Sequence, residues 1–211
     1  MNAKLRLACL ISGGGRTLLN IADRIDDGSL KASIELVIAS RRNILGVEKS
    51  RARGFNTLIV LRKDFASDKA MHDAITKQIV ERNIDLVCMC GYLRPMRIDE
   101  PLRWKVINIH PALLPEFGGK GMHGEHVHQA VLAAKKAMSG CTVHFVDDIY
   151  DHGPIILQRT CPVLPNDTAD SLAVRVFEQE CIAYPEAIRM FGEGQLRVVD
   201  GRVVIDPRHL P

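Results

Sequence analysis

LRLACLISGGGRT, residues 5–17, decides the fold. Its first seven residues are an apolar run of Leu, Ile, Ala and Cys with little polar alternation, the composition of a strand buried on both faces. The run passes straight into Ser12-Gly13-Gly14-Gly15-Arg16-Thr17, and a segment of helical period follows over residues 17–25. Glycines there let the chain turn sharply and approach a ligand closely. The free N–H groups and positive end of the helix that follows favour an anion such as phosphate. A tight strand-to-helix connection needs the same glycines, so the motif by itself leaves phosphate binding and a plain turn both open.

Working outward, apolar runs at residues 35–39, 57–61, 85–90 and 106–109 alternate with helical-period segments at 46–53 and 69–82. This β-α-β-α series predicts an α/β fold with a doubly wound, mostly parallel sheet and helices on either side. After His110 the pattern changes. A Pro/Gly-rich loop, PALLPEFGGKGMHG (residues 111–124), leads to a helix-like stretch at 125–134, strand-like runs at 141–146 and 155–163, and a long helix at 169–191. In that helix Leu172, Val176, Ile182 and Ile188 are expected in the core. Asp200-Gly201 between two apolar runs predicts a terminal hairpin. With no repeat or separating linker, residues 1–211 read as a single domain, with a phosphate-binding half to about residue 105 and a mixed catalytic half from about 106.

The chain is 46% hydrophobic and 25% charged, enough for one sizeable core. Lys and Arg exceed Asp and Glu by only three (28 against 25), and the excess is dispersed, so charge gives nucleic-acid binding no support. No apolar run approaches the roughly 20 residues that span a bilayer, and the N-terminus carries no targeting pattern, which points to the cytoplasm. The six cysteines lie mostly in strand-like segments and read as reduced core residues; Cys88-x-Cys90 lacks the paired ligands of a metal site elsewhere. His123, Glu125, His126 and His128 lack the H-E-x-x-H order of a zinc motif, so the expectation is no metal.

Two segments carry chemistry. In Val106-Ile107-Asn108-Ile109-His110-Pro111 a strand puts Asn108 and His110 on the same side, and the proline ends the strand. Open α/β sheets bind ligands at the carboxyl ends of their strands, where an amide beside an imidazole can hold a developing oxyanion. In His144-Phe145-Val146-Asp147-Asp148-Ile149-Tyr150-Asp151-His152-Gly153-Pro154 three acids crowd a strand-to-turn junction, and one of them can pair with an imidazole. Taken singly, these residues are equally suited to capping loops and forming turns. The glycine loop also admits a nicotinamide reading. That pattern wants glycine or alanine where the chain has Leu18 and an acid where it has Ser40-Arg41-Arg42, although those arginines suit a 2′-phosphate and keep an NADP-binding reductase as an alternative.

Together, G-G-G-R-T after the first strand, G-Y-L-R (residues 91–94), N-I-H-P-A-L-L-P, H-F-V-D-D-x-x-D-x-G-P-I and QE-x-x-x-YP (residues 179–185) resemble the folate-dependent formyltransferases, and within them the phosphoribosylglycinamide formyltransferase branch. The resemblance runs from about residue 7 to 191. It implies the formyltransferase version of a Rossmann-like fold and transfer of the formyl group of 10-formyltetrahydrofolate to the amine of glycinamide ribonucleotide in purine biosynthesis, without a metal. It further implies Asn108, His110 and Asp151 as catalytic residues, with His144 in support. Gly15, Arg16, Thr17 and Glu180 correspond to residues at the ribonucleotide, and Leu93, Arg94, Pro95, Met96, Asn108, Val146 and Asp147 to residues at the folate. His110 is expected to act protonated, stabilised by Asp151. Small-molecule substrates, a monomer or homodimer, and neither nucleic acid nor membrane as partner complete the expectation.

Four positions depart from the family pattern: Arg16 in the glycine loop, Asp68 where some members carry a folate-assisting arginine, Pro95 in the G-Y-L-R-P-M run, and His152 beside Asp151. Other readings are a methionyl-tRNA formyltransferase, which should carry a further C-terminal domain and a basic surface, a formyltetrahydrofolate hydrolase, which normally carries an N-terminal regulatory domain, and a non-catalytic nucleotide-binding module. The closeness of Met1 to the first strand argues against the hydrolase.

Overall fold

A computed structural model describes residues 4–206. It divides into two compact units between Ile107 and Asn108.

In the first unit, β1 (Leu5–Ile11), α1 (Arg16–Asp26), β2 (Ala32–Ala39), α2 (Leu45–Ala52), β3 (Thr57–Ile59), α3 (Asp68–Glu81) and β4 (Leu86–Met89) alternate as the hydrophobic pattern predicts. The strands are parallel in the order β3-β2-β1-β4. Leu7 to Ile11, Leu36 to Ala39 and Leu86 to Cys88 are almost fully buried, which is why these strands lack polar alternation. α1 buries Leu18, Ile21 and Ala22, and α3 starts on Ser67, whose hydroxyl accepts the Ala70 N–H at 3.1 Å. Two predicted strands are shorter than their apolar runs: β3 stops at Ile59 before a 3-10 turn at Arg62–Asp64, and Cys90 lies beyond β4.

β5 (Val106–His110) carries the chain into the second unit, where α4 (Glu125–Ala133), β6 (Met138–Phe145), β7 (Ile155–Pro162), α5 (Ala169–Gly192), β8 (Leu196–Val199) and β9 (Arg202–Ile205) follow. β6 and β7 are antiparallel, in register from Met138↔Pro162 to Val143↔Leu157, with a shift of one residue before His144↔Ile155. β6 begins three residues ahead of its predicted start and ends at Phe145, leaving Val146 in the following loop. Asp200 and Gly201 both have positive φ (48° and 72°), the backbone of the two-residue turn that matches strand twist, and β8 pairs with β9 across them.

α5 opens with a reciprocal capping box between Thr168 and Ser171 and buries Leu172, Val176, Ala183, Tyr184, Ala187, Ile188 and Met190. Ile182 is 43% exposed, against expectation: the buried positions 172, 176, 183 and 187 follow helical spacing, and residue 182 falls about 100° off that stripe. Replacing Thr168 with Ala should cost about 1 kcal/mol, read as a lower urea midpoint at unchanged m-value.

All six cysteines are free, and only Cys181 is not buried. Among the described residues no helix is long and apolar enough to cross a membrane.

Candidate functional site

Within the second unit the structure brings together four side chains from three places in the chain. Asn108 and His110 come from the end of β5, His144 from the end of β6, and Asp151 from the loop between β6 and β7. The period of a strand brings the first two to one side. The antiparallel return after Gly153 delivers the fourth: a side chain on Gly153 would meet the Phe145 carbonyl oxygen at 1.9 Å, so the chain closes here only without one. Asp151 takes a left-handed conformation (φ 54°), a strain of about 1–3 kcal/mol for a residue with a side chain.

The hydrogen bonds define the protonation pattern. His110 Nε2 lies 2.8 Å from the Phe117 carbonyl, which can only accept, so Nε2 carries the proton. Nδ1 then faces Asp151 Oδ2 at 3.5 Å. His144 Nδ1 donates to the Phe145 carbonyl at 2.8 Å, which leaves its Nε2 to accept from Asn108 Nδ2 at 3.2 Å. The second Asn108 amide hydrogen points to Asp151 Oδ1 at 3.5 Å, at the long limit of a hydrogen bond and thus the one most easily exchanged for a ligand oxygen. Gly119 N–H donates to Asp151 Oδ2 at 2.9 Å.

Burial lowers the His110 pKa, outweighing the pull of Asp151 and Phe117 in the opposite direction. Burial therefore favours the neutral imidazole in the ligand-free chain more than in an ordinary histidine. Burial pushes the Asp151 carboxyl up, but His144, His110 and the Gly119 amide together hold it below the ordinary carboxylate value. Burial likewise lowers His128, with His110 adding to it.

These directions predict how stability depends on pH. Between the ordinary histidine value of about 6.5 and the lower folded value of His110, the unfolded chain binds a proton that the folded chain refuses. Stability should fall as pH drops through that window. It should fall again as pH drops from the ordinary carboxylate value through the depressed value of Asp151. Urea midpoints from pH 7.5 to 5 should show the first loss, smaller in His110→Asn; equal losses would refute it.

The backbone after His110 is held by residues the sequence reading missed. Buried Thr142 Oγ1 donates to the Ala112 carbonyl at 2.7 Å and accepts from Leu114 N at 3.0 Å and Gln158 Nε2 at 2.8 Å; Gln158 Nε2 also reaches the Leu114 carbonyl at 3.0 Å. Lys136 pairs with Glu116 at 2.8 Å and lies over the Phe117 ring. Phe117 itself has φ 55°. No residue-type pattern signals a carbonyl acting as a hydrogen-bond acceptor, whereas Gly118 and Gly119 were visible as a Gly-Gly step. A side chain on Gly118 would come within 3.2 Å of the Asp151 Cβ.

In the first unit, Gly15 has φ 73° and caps α1 without any side-chain hydrogen bond, while Gly13 and Gly14 are exposed with open space beside them. A helix start of this kind, with glycines before it, favours an anion at its N-terminal end. Arg16 is exposed and Thr17 half-buried. Gly46, also missed, packs on this loop: its N–H donates to the Gly13 carbonyl at 3.1 Å, and a Cβ on Gly46 would sit 2.5 Å from that oxygen.

Leu93 is exposed, Arg94 half-buried and Met96 buried; the Pro95 carbonyl lies 3.1 Å from His72 Nε2, which donates to it. Asp68 is engaged by Arg62, a residue that itself follows β3. In the second unit Val146 is half-buried, and Asp147 Oδ2 is 2.8 Å from His152 Nδ1. His152 is therefore exposed and directed to Asp147, not to Asp151. Glu180 is half-buried on α5, and its charge adds to the rise that burial gives the Cys141 thiol pKa. The His123 and His126 rings lie edge to face, 5.8 Å apart.

The family model described as "Formyl transferase" matches residues 5–188. A phosphoribosylglycinamide formyltransferase from Haemophilus influenzae is 33% identical over 208 residues, 98% of this chain and 96% of that protein. The trifunctional purine biosynthetic protein adenosine-3 of Drosophila melanogaster is 35% identical over 206 residues, and this chain spans only 14% of its length. The crystal structure of glycinamide ribonucleotide transformylase 1 from Symbiobacterium toebii superposes with a TM-score of 0.88 at 37% identity, covering 96% of this chain and 94% of that one.

Proposed function

Since the chain belongs to the formyl transferase family, we propose that it transfers the formyl group of 10-formyltetrahydrofolate to the amine of glycinamide ribonucleotide, a step of purine biosynthesis. The single observation that carries this reading is the gathering of Asn108, His110, His144 and Asp151 around one imidazole–carboxylate pair.

The glycyl amine attacks the formyl carbon, and the formyl oxygen gains negative charge. Asn108 gives up its 3.5 Å contact with Asp151 to donate to that oxygen. His110, neutral at rest, receives the proton of the attacking amine at Nδ1, beside Asp151 Oδ2, and the carboxylate stabilises the imidazolium while it lasts. The proton then passes to the departing folate nitrogen. His144 orients Asn108 through Nε2. Side chains carry the whole of this chemistry, so it needs no metal.

Gly15, Arg16 and Thr17 hold the phosphate of the ribonucleotide, and Glu180 contacts the same substrate. Leu93, Arg94, Pro95, Met96, Asn108, Val146 and Asp147 contact the folate. Holding both substrates in line supplies much of the acceleration. On this reading the protein works in the cytoplasm as a monomer or homodimer on small molecules, without nucleic acid. The halves about 1–105 and 106–211 share the labour: the phosphate loop lies in the first, the catalytic side chains in the second, and folate contacts come from both.

The test is to incubate the protein with 10-formyltetrahydrofolate and follow tetrahydrofolate release with and without glycinamide ribonucleotide. Release should require the ribonucleotide. Release without it identifies a hydrolase, and none in either case removes the reading.

A further inference from the structure

We infer that Ser12 is a positioning residue that couples the two substrate-binding segments of the first unit, so that occupancy of the glycine loop tightens the folate-contacting segment and the reverse. The inference rests on the functional reading above for the identity of the two segments. It goes beyond that reading in assigning a role to a residue that touches neither substrate.

Ser12 is 1% exposed and stands where β1 ends and the glycines begin. Its Oγ accepts the Leu93 N–H at 2.9 Å, and its own N–H donates to the Gly91 carbonyl at 3.2 Å. One residue thus holds both ends of the stretch 91–93, which leads into Arg94, Pro95 and Met96. The same Oγ shares a 2.6 Å hydrogen bond with Ser40 Oγ at the end of β2, and Ser40, 3% exposed, is fixed by its N–H to the Ile11 carbonyl at 3.0 Å.

Parts of the segments joined by this hydroxyl face solvent, although Gly46 N–H holds the Gly13 carbonyl, His72 holds the Pro95 carbonyl and Met96 is buried. Gly13 and Gly14 are exposed and have no side chains to pack, so the loop has much conformational freedom to lose. Gly91 has φ 73° with open space around it, and Leu93 and Pro95 are exposed. An anion that takes the free N–H groups of the loop fixes the backbone that Ser12 begins. Fixing Ser12 fixes the acceptor of the Leu93 amide. A folate that settles on residues 93–96 then meets a segment already ordered and loses less entropy on binding. Such coupling is reciprocal and commonly amounts to about 5–150-fold in affinity.

Glycinamide ribonucleotide and tetrahydrofolate cannot react with one another, so their mutual effect on affinity can be measured by calorimetry on the full chain. Each should tighten the other about 10-fold in the wild type. In Ser12→Ala the factor should fall to within about 2-fold, and Ser40→Ala, which keeps the Leu93 bond, should lie between. Binding of both ligands without coupling, or coupling undiminished in Ser12→Ala, overturns the inference and leaves the functional reading intact. Failure of the wild type to bind either ligand overturns both. Should Ser12→Ala not fold, amide exchange in the wild type decides: glycinamide ribonucleotide alone should slow exchange of the Leu93 amide at least about 5-fold, and no change overturns the inference.

Discussion

Asp151→Asn should lower kcat/KM for formyl transfer about 1,000-fold, with the fall mostly in kcat. The carboxylate does two things that an amide cannot do together. Oδ2 accepts from Gly119 N–H and faces the basic Nδ1 of His110, while Oδ1 faces the Asn108 amide. An amide nitrogen at the first position meets the Gly119 donor, and at the second it meets the Asn108 donor. Neither rotamer keeps both contacts, and neither stabilises an imidazolium. Loss of a charge partner to a proton-transferring histidine falls at the strong end of acid–base contributions, about 10²–10⁴-fold. At 1.36 kcal/mol per tenfold, the expected loss is about 4 kcal/mol of transition-state stabilisation. Steady-state kinetics with both substrates varied will measure it. A variant that keeps a tenth or more of wild-type kcat/KM would remove Asp151 from the mechanism.

Gly153→Ala should cost about 3–5 kcal/mol of stability, a large effect for the addition of one methyl group. The added carbon would lie 1.9 Å from the Phe145 carbonyl oxygen and 2.9 Å from its carbon, both backbone atoms of a buried strand end. The adjacent Phe145 N–H to Pro154 carbonyl bond, at 2.9 Å, would have to open. Gly54→Ala is the control. Unlike Gly153 it has positive φ (75°), but nothing lies within 4 Å, so only the conformational cost of about 1 kcal/mol should appear. Urea denaturation of the two variants separates close contact from backbone preference, and similar midpoints would refute the argument.

Several features were readable in the residues because the chemistry is local. The run LRLACLI marked β1 end to end, and Asp200-Gly201 marked its turn, since strand burial and the left-handed preference of glycine act within a few positions. The period of a strand likewise put Asn108 and His110 on one side. Ile182 was misplaced because an apolar residue near a helical stripe does not reveal how wide the buried face is. In the sequence His152 stands beside Asp151, but the loop leaves it exposed and turns it to Asp147, which adjacency along the chain does not reveal.

By itself, then, the order of residues determined the alternation of elements, the glycine turn into α1 and the cast of polar side chains, because each depends on neighbours a few positions away. Tertiary structure alone decided the state of that cast. Burial lowers the pKa of His110, its tautomer is set by the carbonyl of Phe117, and the hydroxyl of Ser12 meets an amide 81 residues distant. Desolvation and backbone hydrogen bonds depend on what surrounds an atom in space, and that is established only when distant segments pack.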